Sequence, residues 1–353
     1  MRIEEIVRHL SDLGAKDCHR DRVLRAWAQG FPLDHGTRKQ ASADFLPLAL
    51  RQALPALETQ LGNLARIRSQ HPGEDGSARL LVELGDGQLV ESVLLPRDGV
   101  CISSQVGCAV GCTFCMTGRD GLIRQITSGE MLAQVVLARR QRKVRRVVFM
   151  GMGEPSHNID NVLEAIDILG TAGALGHKNL VFSTVGDLRV FERLPQQRVV
   201  PALAISLHSS KAELRARLLP RAPRIDPAEL VELAEIYARK TGYPIQYQWT
   251  LIDGINDGPE EIDGIVRLLA GKYAIMNLIP YNSTAALAYQ RPDIEKVTAM
   301  TRALHARGVR TTVRNSAGQD VDGGCGQLRS RLAPEERQVI RLQRQSDASK
   351  GAA

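Results

Sequence analysis

Aromatic side chains are scarce: six Phe, six Tyr and two Trp make up 4% of 353 residues. A broad surface that stacks nucleic acid bases on aromatic rings is therefore not expected. Long apolar runs are absent too, and none reaches the roughly 18 residues of a membrane span. The opening MRIEEIVRHLSDLG carries acidic residues in amphipathic order instead of the basic patch and apolar core of a secretory leader. A cytoplasmic protein with no membrane partner is the expectation. Cysteine is rare and unevenly placed: Cys101, Cys108, Cys112 and Cys115 fall close together, while Cys18 and Cys325 lie far away. In a reducing compartment this pattern excludes a disulfide framework and favours metal or redox chemistry.

What is present is a hydrophobic fraction of 43%, enough for the core of a large globular enzyme. The formal charge of +7 favours polyanionic partners without singling out nucleic acid. Six cations lie between positions 139 and 146 (Arg139, Arg140, Arg142, Lys143, Arg145 and Arg146). They suit a phosphate-binding patch and a solvated helix end equally.

Residues 1–75 read as a small helical domain, with one apolar face on Ile3, Ile6, Val7 and Leu10, another on Val23, Leu24 and Trp27, and a third over 45–61. The polar, Gly- and Pro-containing stretch 69–77 is the linker candidate. Within 76–99, the runs 79–84 and 88–95 flank Gly85-Asp86-Gly87 as a β-hairpin extension. From 100 to 330 the pattern alternates between strand and helix. Strands are predicted over 100–106, 146–151, 179–184, 202–207, 245–251 and 274–279, with 309–314 as a possible further edge. Helices are predicted over 127–140, 158–169, 227–240, 259–269 and 294–307, the first opened by the capping box Thr127-x-x-Glu130. The fold class is α/β, an open, partial barrel of six βα units. Residues 331–353 form a basic tail.

The motif that carries chemistry is Cys108-x-x-x-Cys112-x-x-Cys115, in the loop expected after the first barrel strand. Three thiolates can hold three irons of a four-iron cluster and leave the fourth open to a ligand. A structural zinc site would want four closed ligands, and an electron-transfer ferredoxin a fourth cysteine. Cys101 is a poor fourth ligand, because a regular strand at about 3.3 Å per residue would hold it roughly 20 Å from the triad. Zinc and plain buried cysteines remain alternatives at this point. Gly151-Met152-Gly153-Glu154-Pro155 follows the second strand and lets the backbone approach a ligand, or simply makes a tight turn. Cys325 sits among Gly323, Gly324 and Gly326, which predicts a mobile loop able to bring a thiol to the barrel mouth.

Cys108-x-x-x-Cys112-x-Phe114-Cys115 resembles the signature of the radical S-adenosylmethionine superfamily, and a longer series of motifs is similar to its RlmN/Cfr-type RNA (adenine) methyltransferases. They are VES around Glu91, CISSQVGC, VVFMGMGEP, FST, ISLH, LIPYN and GCGQL, in order over residues 79–330. The resemblance implies a [4Fe–4S] cluster on Cys108, Cys112 and Cys115, and two molecules of S-adenosylmethionine per turnover. It assigns cofactor contacts to Gly153, Glu154, Ser183, Ser206, Leu207, His208 and Asn282. It makes Cys325 an S-methylcysteine intermediate, Cys101 the resolving thiol that forms a transient disulfide with it, and Glu91 the proton acceptor. The implied reaction methylates an adenine ring carbon, C2 in preference to C8, in ribosomal or transfer RNA. A small electron-donor protein such as flavodoxin and a monomeric state are further implications. A radical enzyme acting on another substrate, and a non-enzymatic iron–sulfur or zinc RNA-binding protein, are the competing readings.

Overall fold

The computed structural model describes residues 1–36, 45–284 and 286–329, so the basic tail expected over 331–353 lies outside the described residues. Three helices come first: α1 (Ile3–Asp12), α2 (Asp17–Gln29) and α3 (Leu48–Gly62). Next come β1 (Ala65–Pro72), β2 (Ala78–Leu84) and β3 (Leu89–Leu95), paired antiparallel in sequence, and β4 (Gly99–Cys101), antiparallel to β3. The hairpin around Gly85-Asp86-Gly87 is thus present. The stretch read as helix end and linker is instead the edge strand β1. Its outward face is polar and only alternate residues are covered, which leaves little hydrophobic signal.

The first barrel strand, expected as one run over 100–106, is broken. After β4 the chain leaves the sheet, and β5 (Gln105–Gly107) pairs antiparallel with β6 (Leu122–Gln125) in a separate ribbon. The break has a local cause: Ile102 still bonds the Val148 carbonyl of the next strand, but the amides of 103–105 bond to other partners. Ser103 N donates to Gln134 Oε1 at 2.9 Å, and Ser104 N and Gln105 N both donate to the Met152 carbonyl. The cysteine loop is the connection within this ribbon. It is followed by β6, not directly by the expected helix.

Beyond it the βα alternation runs as expected: α4 (Ser128–Gln141), β7 (Arg146–Phe149), α5 (Ile159–Gly170), β8 (Leu180–Thr184), α6 (Leu188–Arg193), β9 (Ala202–Ser206), α7 (Ala212–Leu218), α8 (Pro227–Thr241), β10 (Ile245–Leu251), α9 (Pro259–Leu269), β11 (Ala274–Pro280), α10 (Ile294–Ala306) and β12 (Thr311–Val313). The short helices α6 and α7 were not anticipated. From β4 through β7, β8, β9, β10 and β11 to β12 every pairing is parallel, so the six expected units carry β12 as one more edge. The sheet ends at β1 and β12, and among the described residues it does not close. This is the open, partial barrel.

Helix boundaries follow their caps. Thr127 and Glu130 make the reciprocal capping box of α4, with Thr127 N donating to Glu130 Oε2 at 2.8 Å. Asp226 caps α8, Pro227 occupies its first turn, and Gly242 ends it in the left-handed region. The amino-terminal helices share the barrel's core, Ile6, Leu10 and Trp27 belonging to the same buried cluster as Met131, Val135 and Ile166. The Ile3 amide reaches Ser128 Oγ and the Glu4 amide reaches Glu164 Oε1, which fastens α1 to the start of α4 and the middle of α5. No helix among the described residues is long and apolar enough to cross a membrane.

The basic run is structural in part. Arg139 donates to the carbonyls of Ala28 and Gly173, and Arg142 to those of Gly76 and Leu95; Arg145 pairs with Asp98. Burial holds the Arg139 and Arg146 guanidinium pKa values below the usual arginine range. Arg139 and Arg142 join helices, hairpin and barrel, whereas the exposed Arg140, Lys143 and Arg145 fit the solvated-end reading.

Asn158 secures the ribbon. Its Nδ2 donates to the Ser104 carbonyl at 2.8 Å and the Ile126 carbonyl at 2.7 Å, one on each flank of the β5–β6 pair. Asn158→Ala would strand the Ile126 carbonyl and leave the Ser104 carbonyl only the Ile126 amide, at a cost of about 1–3 kcal/mol. Urea unfolding of the variant should show this loss, together with lower iron retention because the ribbon carries the cysteine loop. Unchanged stability would contradict the role.

Candidate active site

The cysteine loop is built on glycine. Gly107 has φ +77°, and a Cβ there would lie 2.0 Å from the Gly121 carbonyl, so only glycine lets the ribbon close. The Cys108 amide donates to that same carbonyl at 2.9 Å, fixing the start of the loop to its end. Cys108, Cys112 and Cys115 line one cleft at the carboxyl ends of the parallel strands, with ≈ 810 Å³ of empty space open to solvent. Apolar groups surround them: Val110, Phe114, Val185, Leu214, Leu218 and Leu219 form a local cluster. Burial raises all three thiol pKa values, that of Cys108 to about 12, and each thiol is raised further by the thiols near it.

The opposite wall comes from the ends of β7, β8 and β9. Gly151 and Gly153 approach the backbone so closely that a Cβ on Gly153 would meet Gln105 Cβ at 2.6 Å. The Glu154 amide bonds Gln105 Oε1 at 2.7 Å, and the Glu154 carboxylate accepts from the amides of Ser156 and Val185. Burial raises its pKa, against hydrogen bonds from Thr184 and Ser156. Ser183, Ser206 and His208 line the cleft as well. His208 has φ +59°, rare for a residue with a side chain, and its carbonyl is held by Asn256 Nδ2 at 2.7 Å. Burial drives its pKa down to about 3, so the ring is neutral at physiological pH. Nδ1 accepts from the Thr250 amide at 2.9 Å, which puts the ring proton on Nε2.

Other expected residues lie behind this wall. Leu207 is fully buried in the core, its amide donating to the Gln248 carbonyl and its carbonyl accepting from the Ser209 amide, so it backs the cleft between Ser206 and His208 and does not line it. Asn282 is buried, with Nδ2 donating to Ser316 Oγ and the Cys325 carbonyl while Oδ1 has no partner. Cys325 is exposed and lines the cleft. Its glycine-dense loop, expected to be mobile, is tied at several points: the Met116 amide bonds the Gly326 carbonyl at 2.7 Å, and Thr117 Oγ1 bonds the Leu328 carbonyl at 2.7 Å. Cys101 is buried; its thiol pKa is pushed up to about 12, first by burial and next by Cys325, so the two sulfurs are electrostatic neighbours. Glu91 is buried at 1% exposure and ion-paired with Arg79.

Sequence reading missed Arg215, Gln248 and Arg79. Arg215 lies on the unforeseen helix α7 and donates to the carbonyls of Val185 and Ser206; its pKa is lowered to about 10 by burial, against Cys112 and Glu154. Gln248 lines the cleft from the middle of β10, where alternation alone marks it as one more strand residue.

The fold and this cleft define an enzyme that holds a metal cluster beside a small-molecule ligand at the carboxyl ends of its strands. A family profile of the radical SAM superfamily matches residues 102–269. A probable RNA methyltransferase of Dechloromonas aromatica (strain RCB) is 76% identical, covering 94% of this chain and 93% of that protein. One of Stutzerimonas stutzeri (strain A1501) is 70% identical over 94% of this chain and 97% of its own length. A radical SAM methyltransferase from Sphaerobacter thermophilus has a similar structure, with TM-score 0.80, 33% identity, and coverage of 94% of this chain and 98% of that one. The chain therefore belongs to the radical SAM superfamily, and within it to the methyltransferase family of these relatives.

Such enzymes use a [4Fe–4S] cluster and S-adenosylmethionine, and the cleft fits both. Among the described residues no three His, Cys, Asp or Glu groups converge where a single metal ion would be held. Thiols spread round one cleft suit a cluster whose irons take one thiolate each, and do not suit zinc, which needs its donors at one point. Gln248 Oε1 is buried in the cleft without a partner, an acceptor open to a ligand's hydroxyl or amine.

The buried neutral His208 predicts acid sensitivity. Its folded pKa lies below the unfolded value near 6.5, so the unfolded chain binds the proton first and stability falls as pH drops below about 6.5, by at most about 1.4 kcal/mol per unit. Urea titrations at pH 7 and pH 5 should show a smaller acid loss for His208→Asn than for the native chain; equal losses would rule out the neutral assignment.

Proposed function

We propose that this enzyme methylates an adenine ring carbon of ribosomal or transfer RNA, C2 in preference to C8, through a methyl group carried on Cys325. The observation that carries the reading is the pairing of an exposed thiol, Cys325, at the mouth of the cleft with a buried thiol, Cys101, as its electrostatic neighbour. A radical enzyme that merely abstracts hydrogen from its substrate has no use for two thiols outside the triad. RNA as substrate is supported by the names of the relatives and by the net charge of +7.

Cys108, Cys112 and Cys115 would hold the cluster, with Gly153, Glu154, Ser183, Ser206 and His208 around the S-adenosylmethionine, Leu207 buried between the last two, and Asn282 Oδ1 close to the Cys325 loop. When bound, the cluster and S-adenosylmethionine supply a one-electron cleavage to methionine and a 5′-deoxyadenosyl radical, the chemistry needed to functionalise a weakly nucleophilic ring carbon. The chain's own groups do the rest. The Cys325 thiolate first takes a methyl group by displacement from one S-adenosylmethionine, and a second is consumed in each turnover. The methyl group on Cys325 would give a hydrogen atom to the 5′-deoxyadenosyl radical and its carbon would join the ring; the odd electron of the adduct would pass back to the cluster as Glu91 accepts the proton from the ring carbon. The Cys101 thiolate then attacks the Cys325 sulfur. The electron pair of the broken S–C bond stays on carbon, which takes up a proton, and the disulfide is reduced by an external thiol. A small electron-donor protein such as flavodoxin and a cytoplasmic setting complete the reading.

Nucleoside mass spectrometry of ribosomal and transfer RNA from cells with and without the gene tests it directly. Loss of 2-methyladenosine is the expected result, and unchanged RNA would refute it. Cys325→Ala should bind S-adenosylmethionine yet methylate no RNA, and full turnover by this variant would remove the carrier role. Cys101→Ala should accumulate an RNA–protein crosslink, visible as RNA retained on denaturing gels; clean product release would exclude Cys101 as the resolving thiol.

A further inference from the structure

The contacts of Glu91 and of the Cys325 loop meet at one side chain. Arg79 lies on β2 and Glu91 on β3, diagonal neighbours in the antiparallel register, since Arg79 faces Val93 and Glu91 faces Leu81. Arg79 Nη1 donates to Glu91 Oε1 at 2.5 Å, and Arg79 Nε donates to the Val321 carbonyl at 2.6 Å. The other carboxylate oxygen of Glu91 accepts from the Arg329 amide at 2.7 Å. Val321 stands four residues before Cys325 and Arg329 four residues after it. Both ends of the loop are therefore fastened to one buried ion pair, whose side chains are 10% and 2% exposed.

We infer that the Arg79–Glu91 pair is the clasp of the Cys325 loop, and that Arg79 is a positioning residue setting the register between Cys325 and Glu91; the inference rests on the function proposed above. That reaction brings a sulfur-bound carbon and a proton acceptor to the same ring carbon, although the two groups come from segments more than two hundred residues apart in sequence. Gly323, Gly324 and Gly326 carry no side chains that could hold the loop, so its place is set by its fastened ends, by main-chain contacts and by Gln327, whose Oε1 accepts from the Gly324 amide and whose Nε2 donates to the Ser283 carbonyl. A guanidinium suits this task because its planar fork presents donors in two fixed directions, one for a carboxylate and one for a carbonyl. Lysine offers a single point charge and can serve one partner well. The Arg329 amide is the contact that must yield for Glu91 to take a proton, while Arg79 keeps the carboxylate in place.

The test uses the reconstituted holoenzyme with two variants, Arg79→Met and Arg79→Lys, matched for iron and sulfide content. Hydrogen exchange of the peptide spanning 321–329 should rise about tenfold in Arg79→Met, with β10 and β11 unchanged, and to a smaller degree in Arg79→Lys. Intact-protein mass spectrometry should still find the methyl group on Cys325 of Arg79→Met, while RNA methylation falls on the order of a hundredfold, as for a reacting group displaced by about 1 Å. Arg79→Lys should recover part of the RNA methylation. Loop exchange equal to the native chain overturns the clasp. Equal loss of Cys325 loading and RNA methylation reduces Arg79 to a general structural residue and overturns the positioning role. Faster loop exchange in a protein whose native form methylates no RNA upholds the clasp and removes the functional reading instead.

Discussion

Three cysteine thiols share one apolar cup, and this constraint organises the rest of the molecule. Each is buried enough that ionisation costs desolvation, and each is disfavoured further by a neighbouring thiol, Cys115 by Cys325. As thiolates they need compensation by positive charge: among the described residues Arg221 lies against Gly111 of the loop, and Arg215 is nearby but buried, its pKa lowered by that burial. The set is therefore suited to a metal cluster, and the surrounding elements hold the cup together before one arrives. The β5–β6 ribbon closes the loop, Asn158 fastens both flanks of the ribbon, and α7 supplies Leu214 and Leu218 as the outer wall.

Much of this was legible in the sequence where a local rule applies. The spacing of Cys108, Cys112 and Cys115 pointed to an open cluster, the Thr127–Glu130 box marked the start of α4, and the βα alternation from 146 onward placed most strands to within a few residues. The failures also have local causes. Residues 100–106 carry the apolar content of one strand, but the side chain of Gln134 and the Met152 carbonyl take the backbone partners that the sheet would have used. Strand β1 is an edge with a polar face, and α7 has only Leu214 and Leu218 to mark its buried stripe. The run of cations near 140 shows a further limit: arginine stems pack along apolar surface while their heads bond carbonyls, and composition does not separate that use from phosphate binding.

Glycine misled in an instructive way. A glycine-dense segment around Cys325 suggests free movement, yet each glycine with a close neighbour is there because a side chain would collide. A Cβ on Gly324 would meet Gln327 Oε1 at 2.6 Å and Asn282 Nδ2 at 2.9 Å, and Gly326 has φ +84°. The glycines admit close packing of the loop on the cysteine loop and the β11 end, so Cys325 is exposed while the residues around it are packed and hydrogen-bonded. Exposure of a thiol and mobility of its backbone are independent properties, and here only the first holds.

The two thiols outside the triad differ in solvation, and that difference orders the proposed chemistry. With its pKa pushed up to about 12, Cys101 exists as thiolate in only about one molecule in 10⁵ at pH 7. It is therefore a poor competitor for the first methyl group, which falls to the exposed Cys325. The same burial that silences Cys101 during loading keeps it beside the sulfur it must later attack, where a small change in solvation is amplified into a large change in thiolate population. Part of the upward shift comes from Cys325, and it acts only where both sulfurs are ionised. A methylated Cys325 carries no charge, so in the loaded enzyme burial alone opposes ionisation of Cys101, and its reactivity as the resolving thiol rests on a change in solvation.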